Sequence, residues 1–397
     1  MKRYLLFVSC FFVVFLSNAQ NSNYSPHFGI KEKAELPEVF INGTIHVNEN
    51  TIIENGILIV KGNRIIEMGK NISIPKGAII HDLTGQFIYP SFIELYSDLN
   101  ISKEKSKEKL KNPQYKTSKK GPYHWNEAVR PEYNAIDNVK LVYNEIETFL
   151  KKGYGMVLSH QKNGIVRGTG SLHLLGKSST SKILLEKAAN FYSFNKGNSN
   201  QAYPTSLMGS IALLRQFFID SKWYEKNNLN NHPKINLSYE AHVINKKYPN
   251  IFVLERKLDL MRASIISKEA GMDFIYKGSG KEYENIEQIK SISTKLIIPR
   301  DFPKPMDLEN PYDAISVSTS DLSHWKYASL NIATLEKENI SFCITSENLK
   351  SKVFFKNIQE SLLSGAKKEK ILYALTELPA KWLGIDSICG TINLSLI

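Results

Sequence analysis

The hydrophobic period of this chain changes at residue 92, and that change constrains the fold more than any other feature. Before it, short apolar segments at 39–47, 51–61, 64–68 and 77–82 follow one another, with Asn55-Gly56 and Gly62-Asn63 as turn signals. That pattern predicts strands joined by tight turns. After it, apolar runs at 92–96, 155–160, 251–255, 273–277, 295–299 and 341–346 alternate with helical stretches near 137–152, 257–270, 320–339, 352–364 and 367–377. In the helix over 257–270, Leu258, Met261 and Ile265 fall on one side. Alternation of this kind requires parallel strands with helical crossovers, and the count suits a distorted (β/α)8 barrel better than an open sheet. The expected fold class is α/β: a TIM barrel behind a small β-sandwich domain.

The expected organisation is a signal segment at 1–19, a polar lead at 20–36, the β domain at 37–90, the barrel at 91–384 and a last segment at 385–397. Residues 101–135 are punctuated by lysine and proline without a clear period, so they read as an insertion after the first barrel strand. An insertion there lies at the C-terminal face of a barrel, where active sites are built.

The first residues carry the marks of an export signal. Lys2 and Arg3 precede an apolar run over 5–16, and Ser17-Asn18-Ala19 offers small residues for cleavage. The run is short for a membrane span, and Phe7-Val8-Ser9 before Cys10 is a poor lipidation signal, so the expectation is plain secretion to the periplasm or exterior. Cys343 and Cys389 then remain; their spacing cannot establish a disulfide, and two buried thiols are the plainer reading. Net charge is +12, with eight lysines crowded into 102–120. No nucleic-acid motif or aromatic interleaving accompanies them, which argues against a nucleic-acid partner. A solvated loop explains the lysines, and attraction to an anionic surface is the alternative.

The stretch Gly85-Gln86-Phe87-Ile88-Tyr89-Pro90-Ser91-Phe92-Ile93-Glu94-Leu95-Tyr96-Ser97-Asp98 bears on function. It resembles the segment by which amidohydrolase-superfamily enzymes enter their barrel, an apolar run followed by Pro-Gly-Phe-Ile-Asp and His-x-His. Residues 51–66 and 75–85 likewise resemble the β-sandwich preface of the imidazolonepropionase-like branch, and 375–385 the helix that leaves the barrel. More narrowly, 121–132, 165–170 and 206–216 are similar to the first barrel of exported tandem amidohydrolases of Bacteroidetes-like bacteria, in which a second barrel carries the intact metal motif. Such relatives continue past Gly390-Thr391 to complete the β domain, so 385–397 reads as a truncated return. The missing strands would come from this protein's own absent C-terminal half or from another chain.

The resemblance implies metal ligands at strand ends, and here they are replaced. The first-strand pair falls at Tyr96 and Asp98, the next ligand positions at Leu254 and Lys277, and the catalytic aspartate at Glu347. Leucine cannot ligate, lysine repels a cation when charged, and tyrosine is a poor zinc ligand. No cofactor is therefore expected, although catalytic relatives use zinc. A structural ion-pair cluster of Asp98, Lys277 and Glu347 is one reading; a new catalytic group is the other. His160 and Arg167 could reach the same face and bind a small molecule. Gly168-Thr169-Gly170-Ser171 reads as a turn before a strand, and His173 as core.

Three functions remain open. The chain can be a non-catalytic pseudoenzyme barrel serving as scaffold or binding module beside a second amidohydrolase barrel. It can be a divergent, metal-poor hydrolase of cyclic amides or small peptides, with Glu347 as base. It can also be an exported interaction protein using the basic insertion.

Overall fold

The computed structural model describes residues 36–102, 116–140, 142–176, 183–228, 235–292, 294–347 and 349–394. The expected signal segment and most of the lysine cluster lie outside these residues. A first sheet is built from β1 (Glu38–His46), β2 (Ile52–Lys61) and β3 (Arg64–Gly69), an antiparallel meander, with β4 (Ile79–Asp82) and β5 (Phe87–Ile88) parallel to β1. Gly62-Asn63 turns between β2 and β3 as its sequence predicts. Asn55-Gly56 does not turn: both residues lie inside β2, and Gly56 pairs with Gly43. The reversal occurs earlier, where the Asn48 side chain accepts from the backbone N–H groups of Asn50 and Thr51 at 2.9 and 2.8 Å. Gly56 is there for close approach, since a Cβ would stand 2.6 Å from Ile45. The small core of this sheet holds Ile45, Val47, Leu58 and Ile392. The Ile392 N–H donates to the Val47 carbonyl at 2.9 Å, which ties the segment after α11 back to the first sheet.

The second sheet has eight strands in sequence order: β6 (Phe92–Ser97), β7 (Tyr154–Ser159), β8 (Val166–Leu174), β9 (Ile183–Ser193), β10 (Asn250–Val253), β11 (Phe274–Lys277), β12 (Lys295–Pro299) and β13 (Ser341–Thr345). All neighbours are parallel except β8, which is antiparallel to β7 and β9. This arm was hidden in the sequence, and Gly168 to Ser171 lie within β8 instead of forming a turn. The reason is close packing: a Cβ on Gly170 would meet Phe191 at 2.7 Å and the Ser159 carbonyl at 3.0 Å, so small residues replace the usual β-branched pattern. Edge strands β6 and β13 meet through Thr345, whose hydroxyl is 3.5 Å from the Tyr96 carbonyl, and through Ser346 and Glu94. The result is a barrel-like α/β fold.

The helices are α1 (Tyr143–Leu150), α2 (Leu207–Asn228), α3 (Leu237–Asn245), α4 (Asp259–Ala270), α5 (Ile286–Ile292), α6 (Pro311–Ser316), α7 (Thr319–Tyr327), α8 (Asn331–Lys337), α9 (Ser351–Leu363), α10 (Lys368–Leu375) and α11 (Glu377–Leu383). The helix expected over 137–152 is shorter, because Val139 is extended after a 3-10 turn at Ala135–Asn138. The stretch at 320–339 is broken by a second 3-10 turn at Ala328–Leu330. In α4 the buried side is Leu260, Ala263, Ile266 and Ala270, while Leu258 and Ile265 face solvent. Two alanines let that face approach the sheet closely, which outweighs the bulkier stripe on the other side.

Two apolar layers hold the barrel. Ile93, Leu95, Met156, Phe191, Ile275 and Cys343 belong to an inner cluster, joined by Leu378 and Leu383 of α11. Phe252, Leu296, Ile344, Phe217, Ile266 and Phe354 belong to the layer between strands and helices. Each fully buried side chain of this size contributes roughly 1.5–3 kcal/mol. Cys343 and Cys389 are free thiols buried in the inner cluster.

Candidate functional site

A bulge in β6 sets up the site. Glu94 pairs with Val157 and Ser97 with Ser159, so β6 spends one more residue than β7 over the same length. Leu95 and Tyr96 consequently both join the inner cluster, and Tyr96 is turned into the barrel mouth. Glu94, on the other side of the strand, faces the seam between β6 and β13.

In the mouth two ammonium groups approach the Tyr96 ring, Lys162 Nζ at 4.9 Å and Lys277 Nζ at 4.8 Å from its centroid. Each lysine is also ion-paired: Lys162 with Asp98 at 3.2 Å, Lys277 with Glu347 at 3.1 Å. Lys277 is the last residue of β11, aimed inward by the alternation that places Ile275 in the inner cluster and Tyr276 in the outer one. Glu347 leaves β13 in the left-handed region, with φ 44°, and its N–H donates to the Thr345 hydroxyl at 3.0 Å. That conformation costs about 1–2 kcal/mol for an L residue. It directs the carboxylate to Lys277.

His160, at the end of β7, is buried under Phe191, with ring centroids 3.7 Å apart, and lies 4.8 Å from Tyr96. Its Nδ1 is 3.1 Å from the Gln161 carbonyl. Burial, with Arg167 and Lys162 nearby, pushes its pKa well below the ordinary range, so the imidazole is neutral. Arg167 is buried as well; its Nε donates to the Gly164 carbonyl at 2.9 Å and its guanidinium lies against Tyr96, while burial works against its charge. Arg167 Nη1 and the Gln161 amide atoms have no hydrogen-bond partner among the described residues. Tyr96, Asp98, Lys277, Glu347, His160 and Arg167 thus converge on one mouth. Leu254 does not: it belongs to the outer layer, and Val253 occupies the inward position on β10. His173 is buried, 2.7 Å from the Ser171 hydroxyl.

The sequence did not single out Lys162, two residues past the histidine that follows β7. Nor did it single out a second polar cluster on the outer side of β6 and β13. There the fully buried Glu94 accepts from Ser346 N at 2.8 Å, Ser346 Oγ at 2.9 Å and Tyr96 N at 3.1 Å. Lys152 Nζ donates to Ser346 Oγ at 2.7 Å. Burial raises the Glu94 pKa and lowers that of Lys152 to about 8. The only signal for Lys152 was its place in Lys151-Lys152-Gly153, which reads equally well as a solvated helix end.

No family model matches the chain, and no curated protein matches it. Among solved structures it is similar to an amidohydrolase from Thermotoga maritima MSB8, with a TM-score of 0.68 at 21% identity over 90% of this chain and 91% of that one. The chain shares the fold of that structure. A second solved structure of similar fold, a Bifidobacterium longum protein described as a prolidase, aligns over 91% of this chain and 87% of its own with a TM-score of 0.52 and 12% identity.

The zinc that the sequence resemblance implies does not fit the donor set here. Tyr96, Lys162 and Lys277 occupy the mouth where imidazoles would be needed, and the two carboxylates already face ammonium groups. Among the described residues no group of three or more His, Cys, Asp or Glu side chains is placed to hold a metal ion. No helix among them is long and apolar enough to cross a membrane.

Proposed function

We propose that this chain is a non-catalytic barrel on an amidohydrolase fold, exported and serving as a scaffold or binding module beside a partner barrel. The observation that carries the reading is the pair of lysines flanking Tyr96, each bound to one carboxylate of the mouth. Two ammonium groups supply in place the positive charge that a divalent cation would bring, and they cannot activate water as a Lewis acid does. Glu347, held by Lys277, stabilises the pair and is not free to take a proton from a nucleophile. Buried beside the mouth, Arg167 Nη1 and the Gln161 amide lack a hydrogen-bond partner among the described residues, which supports a binding role for it.

The test is hydrolysis of a dipeptide panel and of cyclic amides, with zinc or manganese added. The expected result is no turnover above that of Glu347→Gln. Turnover that disappears in Glu347→Gln would establish the divergent hydrolase instead.

A further inference from the structure

A cavity of about 890 Å³ opens beside α1, adjoining the mouth at Asp98 and Glu347, between the loop after β6 and the loop after β13. Lys152 lines it, although only 2% of the residue is exposed. We propose that Lys152 is an imine-forming lysine that captures a small anionic aldehyde or ketone from this cavity.

Three features carry the inference. First, the amine is a buried nucleophile: Nζ stands 4.0 Å from the Phe149 ring centroid and 5.7 Å from that of Tyr154, with one polar acceptor, Ser346 Oγ. Apolar surroundings of this kind favour the neutral amine, which is the reactive form, and they place its pKa at about 8. Second, a proton path is built in. Ser346 joins the amine to Glu94, whose pKa burial raises, and the buried Tyr154 hydroxyl lies beside these two groups. Third, the rim selects charge. Lys140, Lys151 and Lys350 line the cavity, Lys140 and Lys350 without an ion-pair partner among the described residues; of the lining carboxylates Asp98 and Glu347 are engaged by Lys162 and Lys277, and Glu145 accepts from the Asn100 N–H at 3.4 Å.

The step balances without an oxidant. The Lys152 nitrogen adds to the carbonyl carbon, and the carbonyl oxygen takes a proton to give a carbinolamine. That hydroxyl then leaves as water as the nitrogen gives up its remaining proton and the C=N bond forms. This site shares Asp98 and Glu347 with the mouth, but its reacting amine is Lys152, so it stands whether or not the mouth catalyses a reaction.

The test uses pyridoxal 5′-phosphate as probe, followed by borohydride reduction and peptide mapping of the full chain. The expected result is a pyridoxyl group on Lys152 in excess over the exposed lysines of the rim, lost in Lys152→Met. Because the map locates the adduct in the unaltered protein, it does not depend on that variant folding. Replacing Lys140 and Lys350 by alanine should weaken labelling of Lys152 by pyridoxal 5′-phosphate more than labelling by pyridoxal, which lacks the phosphate. Label spread over surface lysines with no excess at Lys152 would overturn the proposal. Equal effects on the two aldehydes would overturn its anionic selectivity.

Discussion

The same two strands, β6 and β13, carry two polar clusters that differ in their contact with water. In the mouth the paired side chains keep 10–28% of their surface exposed, and each charge has a directly opposed partner. At the seam Glu94 and Ser346 are completely buried, Lys152 is 2% exposed, and the carboxylate and amine meet through a hydroxyl. Partly wet pairs are worth little because water screens them, whereas a dry pair is costly to assemble and more costly to break. The seam should therefore control stability, and the mouth should control what can bind.

The largest effect is expected at the seam. Lys152→Met removes the donor to Ser346 Oγ beside the buried Glu94 and should cost about 1–3 kcal/mol in urea unfolding. A loss no greater than that of a mouth variant would erase the distinction between the clusters.

Next comes the response of the mouth to acid. His160 has a folded-state pKa well below its unfolded value of about 6.5, so the stability it contributes is complete above that value and is lost as pH falls through the folded-state pKa. In the native protein its imidazole should stay neutral as pH falls through about 6.5, where a free imidazole titrates, in an NMR titration, and His160→Phe should flatten the acid side of the stability curve. Ordinary titration near 6.5 would mean that water reaches the ring.

Lys277→Met should cost only about 1 kcal/mol, since Glu347 can regain solvent. Asp98→Asn is smaller still, at roughly 0–0.5 kcal/mol, because Lys162 keeps its contact with the Tyr96 ring. Both can be read from denaturant midpoints, and a larger loss for Asp98→Asn than for Lys152→Met would reverse the order proposed here.

Much of the barrel was legible from period alone, because strands such as 251–255, 295–299 and 341–346 are continuous apolar runs buried on both faces. The β8–β9 arm was not, since close backbone approach at Gly168 and Gly170 demands small residues that imitate a turn. The buried face of α4 was misjudged for a related reason: alanines at 263 and 270 pack closer than the larger stripe of Leu258 and Ile265. In the site, resemblance to a known motif located Tyr96, Asp98, Lys277 and Glu347, which the fold brings together. It could not locate Leu254 correctly, because one step in strand alternation moves a side chain from the mouth to the outer layer. Lys162 and Lys152 lay beyond reach because a lysine in a loop carries no sign of its burial.

Zinc titration of the purified chain, followed by elemental analysis after dialysis, tests most directly whether lysines hold the place of a metal in the mouth. The account predicts no stoichiometric zinc, with residual binding unchanged in Asp98→Asn and Glu347→Gln. One or two zinc ions per chain, retained through dialysis and lost in those two variants, would contradict it.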